Sequence, residues 1–143
     1  MTYHASIDFA SVKEGDTLPN ISFEVSYTTL AQDVSGTRDY YPIHHDPDFA
    51  KSGNARNIFL NTMWYQGMVN RFVSEWAGYE SFLRKLSVDM KSHGCPGDTL
   101  TIRGTVLATR VDDQGRKLVD LDVRMDNQLQ PDVLLSKVTV EIP

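Results

Sequence analysis

Between Ser35 and Ala50 the chain reads Ser-Gly-Thr-Arg-Asp-Tyr-Tyr-Pro-Ile-His-His-Asp-Pro-Asp-Phe-Ala. One carboxylate, Asp39, one imidazole, His44, and several aromatic rings are gathered there around Pro42. An imidazole changes charge near neutral pH, so beside a carboxylate it can take a proton from one reactant and return one to another. Asp39 and His44 are therefore the candidate acid/base pair, although an aspartate and a histidine at this spacing are ordinary in a polar loop. Asp39, His44, His45, Asp46 and Asp48 could together suggest a metal site. Adjacent histidines do not naturally converge on one ion, and no His-x-x-x-His or cysteine pair supports them, so no metal is expected. His45 reads as a solvated or structural residue and Asp46 as a helix cap.

The flanking sequence must position this stretch. Alternation predicts a strand over 21–25. Thr28 or Thr29 can cap a short helix over 30–34, and Gly36 can end it, which delivers Asp39 just past a helix terminus. Pro42 forbids a helix through Tyr40-Tyr41-Pro42 and places His44 on irregular chain. Asp46 as N-cap with Pro47 in the first turn then starts a short helix that ends at Gly53. Apolar residues at helical spacing predict one long helix over 58–77, closed by Gly78. Gly67 in its middle costs about 1 kcal/mol relative to alanine, so a strand backbone or a neighbouring subunit's chain is expected close to it. Trp64, Tyr65, Phe72 and Trp76 read as core or subunit interface. From Phe82 onward the pattern has period two, with strands over 83–90, 100–108, 118–125 and 133–142 and a hairpin turn at Asp112-Asp-Gln-Gly115. A long helix followed by an antiparallel meander, with a strand before it, is buried by wrapping the sheet around the helix, a two-layer α+β arrangement.

With 143 residues, of which 41% are hydrophobic, the chain is the size of one domain, expected to span 1–143. A net charge of −5 argues against nucleic-acid binding, which needs a basic face. The single cysteine, Cys95, excludes an internal disulfide framework; it precedes Pro96-Gly97 and reads as a turn residue rather than a nucleophile. The start, Met-Thr-Tyr-His-Ala-Ser-Ile-Asp, does not resemble a secretory signal, and no stretch has the length and apolarity of a membrane span, so a cytoplasmic location is expected.

Asp39-Tyr-Tyr-Pro-Ile-His44, followed by Asp46 and Ala50, resembles the Asp-x-Asn-Pro-Ile-His-x-Asp-x-x-x-Ala signature of the MaoC-like dehydratases, which include the R-specific enoyl-CoA hydratases. The likeness extends to Gly53, to the glycine-bearing helix and to Pro-Gly-Asp-Thr-Leu100. It implies the hotdog fold, a curved antiparallel sheet around one long central helix. It also implies reversible syn addition of water to a trans-2-enoyl-CoA, giving an (R)-3-hydroxyacyl-CoA, with Asp39 and His44 as the acid/base pair. The acyl-CoA thioester is substrate, and no separate cofactor is implied. Tyr41 stands where the signature has asparagine, and Asn61-Thr62 stand where a His-Gly pair is usual; these three are the implied substrate-binding residues, with the Thr62 amide facing the thioester oxygen. The change at 61–62 implies a substrate scope unlike that of short-chain hydratases. That helix start is similar to small MaoC-like proteins of steroid side-chain breakdown, some of which pair with a second hotdog subunit, so the implied partner is another copy or a different hotdog chain. Two alternatives stay open: a non-catalytic hotdog subunit that shapes a partner's acyl pocket, and an acyl-CoA thioesterase.

Overall fold

The long helix, α3, covers Thr62–Ala77 and buries Tyr65, Val69, Phe72, Val73 and Ala77 on one stripe, the spacing of a helix laid on a sheet. The structure, a computed structural model, describes residues 5–143; Met1 to His4, part of the stretch read above as unlike a secretory signal, lie outside the described residues. The helix starts four residues later than the periodicity suggests. Ile58, Phe59 and Leu60 are buried but lie outside the helix, and Asn61 is the N-cap, its side chain accepting from the Trp64 amide. A continuous apolar run hides such a boundary, whereas Asn61 itself is a cap signal.

Around this helix lies one five-stranded antiparallel sheet made of β1 (Thr17–Glu24), β2 (Phe82–Met90), β3 (Thr99–Val111), β4 (Lys117–Asn127) and β5 (Leu134–Ile142), in the order β1-β3-β4-β5-β2. Each of the four strands expected after the helix is present, with ends that shift by a few residues, but only β3, β4 and β5 form a meander: β2 pairs with β5 instead of β3, which corrects the expected four-strand order. Alternate residues face the helix: Leu100, Ile102 and Val106 from β3, Leu121, Val123 and Met125 from β4, and Val138, Val140 and Ile142 from β5. Each such buried side chain contributes roughly 1.5–3 kcal/mol of transfer free energy. Opposite faces carry ion pairs, among them Arg103 with Asp126 and Asp132, and Lys137 with Asp122. The result is the α+β hotdog arrangement that the sequence implied.

Two shorter helices precede α3: α1 (Tyr27–Thr37) and α2 (Pro47–Ser52). For α1 the expected cap shifts to Ser26, whose Oγ accepts from the Thr29 amide while Thr29 Oγ1 accepts from the Ser26 amide. The helix also runs through Gly36 and ends at Arg38, whose φ of 58° is left-handed. Glycine would relieve that conformation, but it stands two residues too early. The expectation of a strand backbone against Gly67 is not met: a Cβ there would find nothing within 4 Å among the described residues. Gly67 lines an open groove with Met63, Gln66, Asn70, Leu83 and Leu86, so space is kept on the outer face of α3.

Gly78 has the opposite setting. Its φ is +93°, and a Cβ would lie 2.4 Å from Ser6 Cα, because the N-terminal segment crosses the helix end and bonds Ile7 N–H to the Ala77 carbonyl at 3.1 Å. Gly78→Ala should therefore lower stability by about 2–3 kcal/mol, combining left-handed strain with a backbone clash. Chemical denaturation of the two proteins measures this directly; a loss under about 0.5 kcal/mol would contradict it.

Candidate active site

The end of α1 and the turn after it bring the proposed pair together. Thr37 Oγ1 donates to the Asp33 carbonyl at 2.7 Å and accepts from the Asp39 amide at 3.4 Å, which sets the chain direction at Asp39. Tyr41 is extended, and Pro42–His44 form a single 3-10 turn rather than irregular chain. Proline suits the first position of that turn because no amide hydrogen is needed there. Asp46 caps α2 as expected, accepting from the amides of Asp48 and Phe49.

His44 is buried, and its Nδ1 lies 2.6 Å from the carbonyl oxygen of Phe59. A carbonyl can only accept, so Nδ1 carries the hydrogen and Nε2 is the nitrogen left to work. Nε2 faces Asp39 Oδ2 at 3.4 Å, while Asp39 Oδ1 accepts from the Tyr41 amide at 3.3 Å. The Asp39 side chain keeps 29% of its surface accessible against 10% for His44, so the carboxylate is the more open member. His45 turns away and bonds the Tyr40 carbonyl at 3.0 Å.

The head of α3 meets this pair from the other side. Asn61 has its amide N–H on Asp33 Oδ2 at 2.9 Å, its Nδ2 on Thr37 Oγ1 at 2.6 Å and its Oδ1 under the Trp64 amide at 2.9 Å. With 2% of its surface exposed, Asn61 uses its side chain within the fold, bridging Thr37 and capping α3. Thr62 is exposed, and neither its amide nor that of Met63 has a partner among the described residues, as expected for the first turn of a helix. Tyr41 stays exposed with its ring edge-on to Phe49, so its backbone amide rather than its hydroxyl serves Asp39.

Three residues that the sequence did not single out complete the surroundings. Phe59 places its ring edge-on to His44 and flat against His93, with centroids 3.7 Å apart and planes at 6°. Burial first, then the nearby Arg56 guanidinium and His44 ring, hold the His93 imidazole below the usual histidine range. Asp33 is buried with only the Asn61 amide on its carboxylate, and its Oδ1 has no partner among the described residues. Burial pushes its carboxyl upward, against the Asn61 hydrogen bond and the attraction of His44. An aspartate on the Leu30–Val34 face of α1 was the signal that could have exposed it.

Asp98 behaves differently. Burial pushes its carboxyl up, but bonds from Arg56, the Cys95 amide and Gln128 outweigh this and hold it below the ordinary range. Cys95 sits buried in that turn with its thiol pushed up by burial, which suits a structural rather than a nucleophilic role.

The sign of the His93 effect gives a test. Because its folded pKa lies below the unfolded value near 6.5, the unfolded chain takes up the proton first as pH falls, and stability is lost below that value. His93→Phe keeps a stacked ring and removes the titration, so it should lose less stability than wild type between about pH 7 and pH 5. Parallel denaturation curves at the two pH values check this, and an equal loss in both proteins would refute it.

Comparison with known proteins agrees with this architecture. The family model described as MaoC like domain matches residues 21–127. The beta subunit of 3-oxo-4,17-pregnadiene-20-carboxyl-CoA hydratase from Mycobacterium tuberculosis is 30% identical over 94 residues, which cover 66% of this chain and 73% of that protein. Among solved structures, a chain of the ChsH1-ChsH2 complex from Mycobacterium tuberculosis superposes with a TM-score of 0.83 at 27% identity, covering 92% of this chain and 98% of that one. The (R)-hydratase from A. caviae involved in PHA biosynthesis gives the same TM-score of 0.83 at 21% identity, with 93% and 98% covered. Family match, relative and fold converge on one conclusion: this chain is a member of the MaoC-like dehydratase family.

Proposed function

We propose that the protein adds water reversibly to a trans-2-enoyl-CoA to give an (R)-3-hydroxyacyl-CoA, with Asp39 and His44 as its acid/base pair. The single observation that carries this reading is the fixed pair itself: His44 Nδ1 is tied to the Phe59 carbonyl, which leaves Nε2 facing Asp39 Oδ2 at 3.4 Å. Water held across Nε2 and the carboxylate loses one proton to the pair as its oxygen bonds to the β-carbon. The alkene electrons move onto the thioester as an enolate, and the pair returns one proton to the α-carbon as the enolate collapses. Both transfers come from one side, which gives syn addition. The open amides of Thr62 and Met63, at the positive end of α3, are the natural donors for the enolate oxygen. The Thr62 side chain beside them narrows the approach, which fits a scope different from that of short-chain hydratases. A steroid thioester is the finer form of this proposal, on the strength of the substrate named for the Mycobacterium relative.

A second reading has its own support. That relative is a beta subunit, and the similar solved chain comes from a two-protein complex, so this chain could serve a hydratase as one of two unlike subunits. In either case a partner is expected. Strand β2 ends the sheet with an unpaired edge, and the groove at Gly67 lies between α3 and that strand. Paired hotdog subunits would cover both.

Purified protein mixed with crotonyl-CoA and with bulkier enoyl-CoA esters should consume the enoyl absorbance, and Asp39→Asn or His44→Ala should lower kcat/KM by about 10²–10⁴-fold with the fold intact. Activity that survives both substitutions sinks the pair. Activity only with a co-expressed hotdog chain selects the unlike-subunit reading, and release of free thiol instead selects a thioesterase. Gly67→Leu should leave the chain folded, since nothing lies within 4 Å, but weaken the oligomer in light scattering. An unchanged oligomer would place the interface elsewhere.

A further inference from the structure

Asp33 is the least satisfied buried group near the pair. It is 3% exposed, one carboxylate oxygen takes the Asn61 amide, and the other has no partner among the described residues. A carboxylate in such a place is costly, and an apolar residue on the inner face of α1 would avoid the cost. What it holds explains why it is there. The segment from Phe59 to Asn61 carries two functional atoms in a row: the Phe59 carbonyl on His44 Nδ1, and the helix start whose next amides stay open. That segment is fixed from one side by Leu60 N–H on the Gly94 carbonyl at 3.1 Å, and from the α1 side by Asn61. On the α1 side the Asn61 side chain uses Thr37 Oγ1, but that oxygen already donates to the Asp33 carbonyl and accepts from the Asp39 amide. The Asn61 backbone amide therefore depends on Asp33 Oδ2 alone.

We propose that Asp33 is a positioning residue for the acid/base pair, its buried carboxylate holding the Asn61 amide so that the Phe59 carbonyl keeps His44 in one tautomer and the head of α3 stays aligned with Asp39. It does not touch substrate; it acts through Asn61 and Phe59. The other titratable groups around His44 are Asp39 from the turn and His93 from the segment after β2, and neither is bonded to the Asn61 amide. Asp33 thus couples α1 to the segment that orients the imidazole, a supporting bond of the kind that orients working groups in other sites.

The test compares Asp33→Asn, whose side-chain oxygen can still accept from Asn61, with Asp33→Ala, which removes the acceptor. The low-field NMR signal of the His44 Nδ1–H reports its bond to Phe59 without any substrate. It should persist in Asp33→Asn and broaden or vanish in Asp33→Ala. The kinetic arm rests on the hydratase reading: with an enoyl-CoA, Asp33→Ala should lower kcat about 10- to 100-fold while KM changes by less than about 3-fold, and Asp33→Asn should recover most of the loss. Thermal unfolding identifies the folded fraction; if Asp33→Ala does not fold, Asp33→Ser, polar but too short to reach Asn61, replaces it. An Nδ1–H signal that is unchanged in the variant lacking the acceptor overturns the proposal, as does a signal lost equally in Asp33→Asn. If wild type shows no hydratase activity, the hydratase reading fails while the NMR comparison still decides the role of Asp33.

Discussion

The short contact between His44 Nδ1 and the Phe59 carbonyl is the constraint on which the rest of the site depends. It joins two segments far apart in sequence, the 3-10 turn after α1 and the run before α3, and it decides which imidazole nitrogen is left for chemistry. Without it the ring could rotate or exchange tautomer, and proximity to Asp39 would have no chemical direction. A histidine whose second nitrogen is held by a backbone carbonyl is oriented by the fold itself, so its position is as rigid as the chain that carries the carbonyl.

That chain is rigid for identifiable reasons. Leu60 N–H bonds the Gly94 carbonyl, and Gly94 N–H bonds the hydroxyl of buried Tyr65, which ties the run before α3 to the segment leading into β3 and to α3 itself. The same segment continues to Asp98, whose carbonyl takes the Val25 amide at 2.8 Å while the Val25 carbonyl takes the Gly97 amide at 2.8 Å. The bond fixes the chain just before the Ser26 cap of α1. The two sides of the pair are thus referenced to one turn, Cys95 to Asp98, which leads into the interior strand β3. Sheet, helix and turn together act as the frame, and Asp39 and His44 ride on loops braced against it.

Most of this frame is legible in the sequence because period and punctuation are strong where the structure is regular. The meander strands alternate clearly, Gly115 and Gly97 mark turns, and Asp46-Pro47 announces α2. Boundaries fail where two signals compete. The buried run Ile58-Phe59-Leu60 looks like the first turn of α3, yet it stays outside the helix and Leu60 bonds Gly94 across the fold, which no local pattern can reveal. Gly36 looks like a helix terminator, yet the hydroxyl of Thr37 gains bonds to Asp33 and Asn61 only if α1 runs one residue further, and Arg38 then takes the left-handed position. Asp39 and His44 could be named because a signature surrounds them; their mutual distance could not. Asn61 carries a similar ambiguity, since a polar residue at a helix start can face a ligand or cap the helix, and the capping bonds emerge only from the fold.

Asp33 and Asp98 show what a count of partners adds to burial. The two are almost equally buried, at 3% and 2% exposed, and in the sequence they are indistinguishable aspartates. Asp98 collects donors from Arg56, the Cys95 amide and Gln128, so its charge is stabilised and its carboxyl is held below the ordinary range. Asp33 has one donor and an orphaned oxygen, so burial dominates and its carboxyl is pushed up. Selection for stability alone explains the first and not the second, because a buried carboxyl with an unsatisfied oxygen costs the fold that contains it. The cost at Asp33 falls at the junction of α1 and the helix start, beside Asp39 and His44, the place at which the proposed positioning role needs a rigid junction rather than a more stable, looser one.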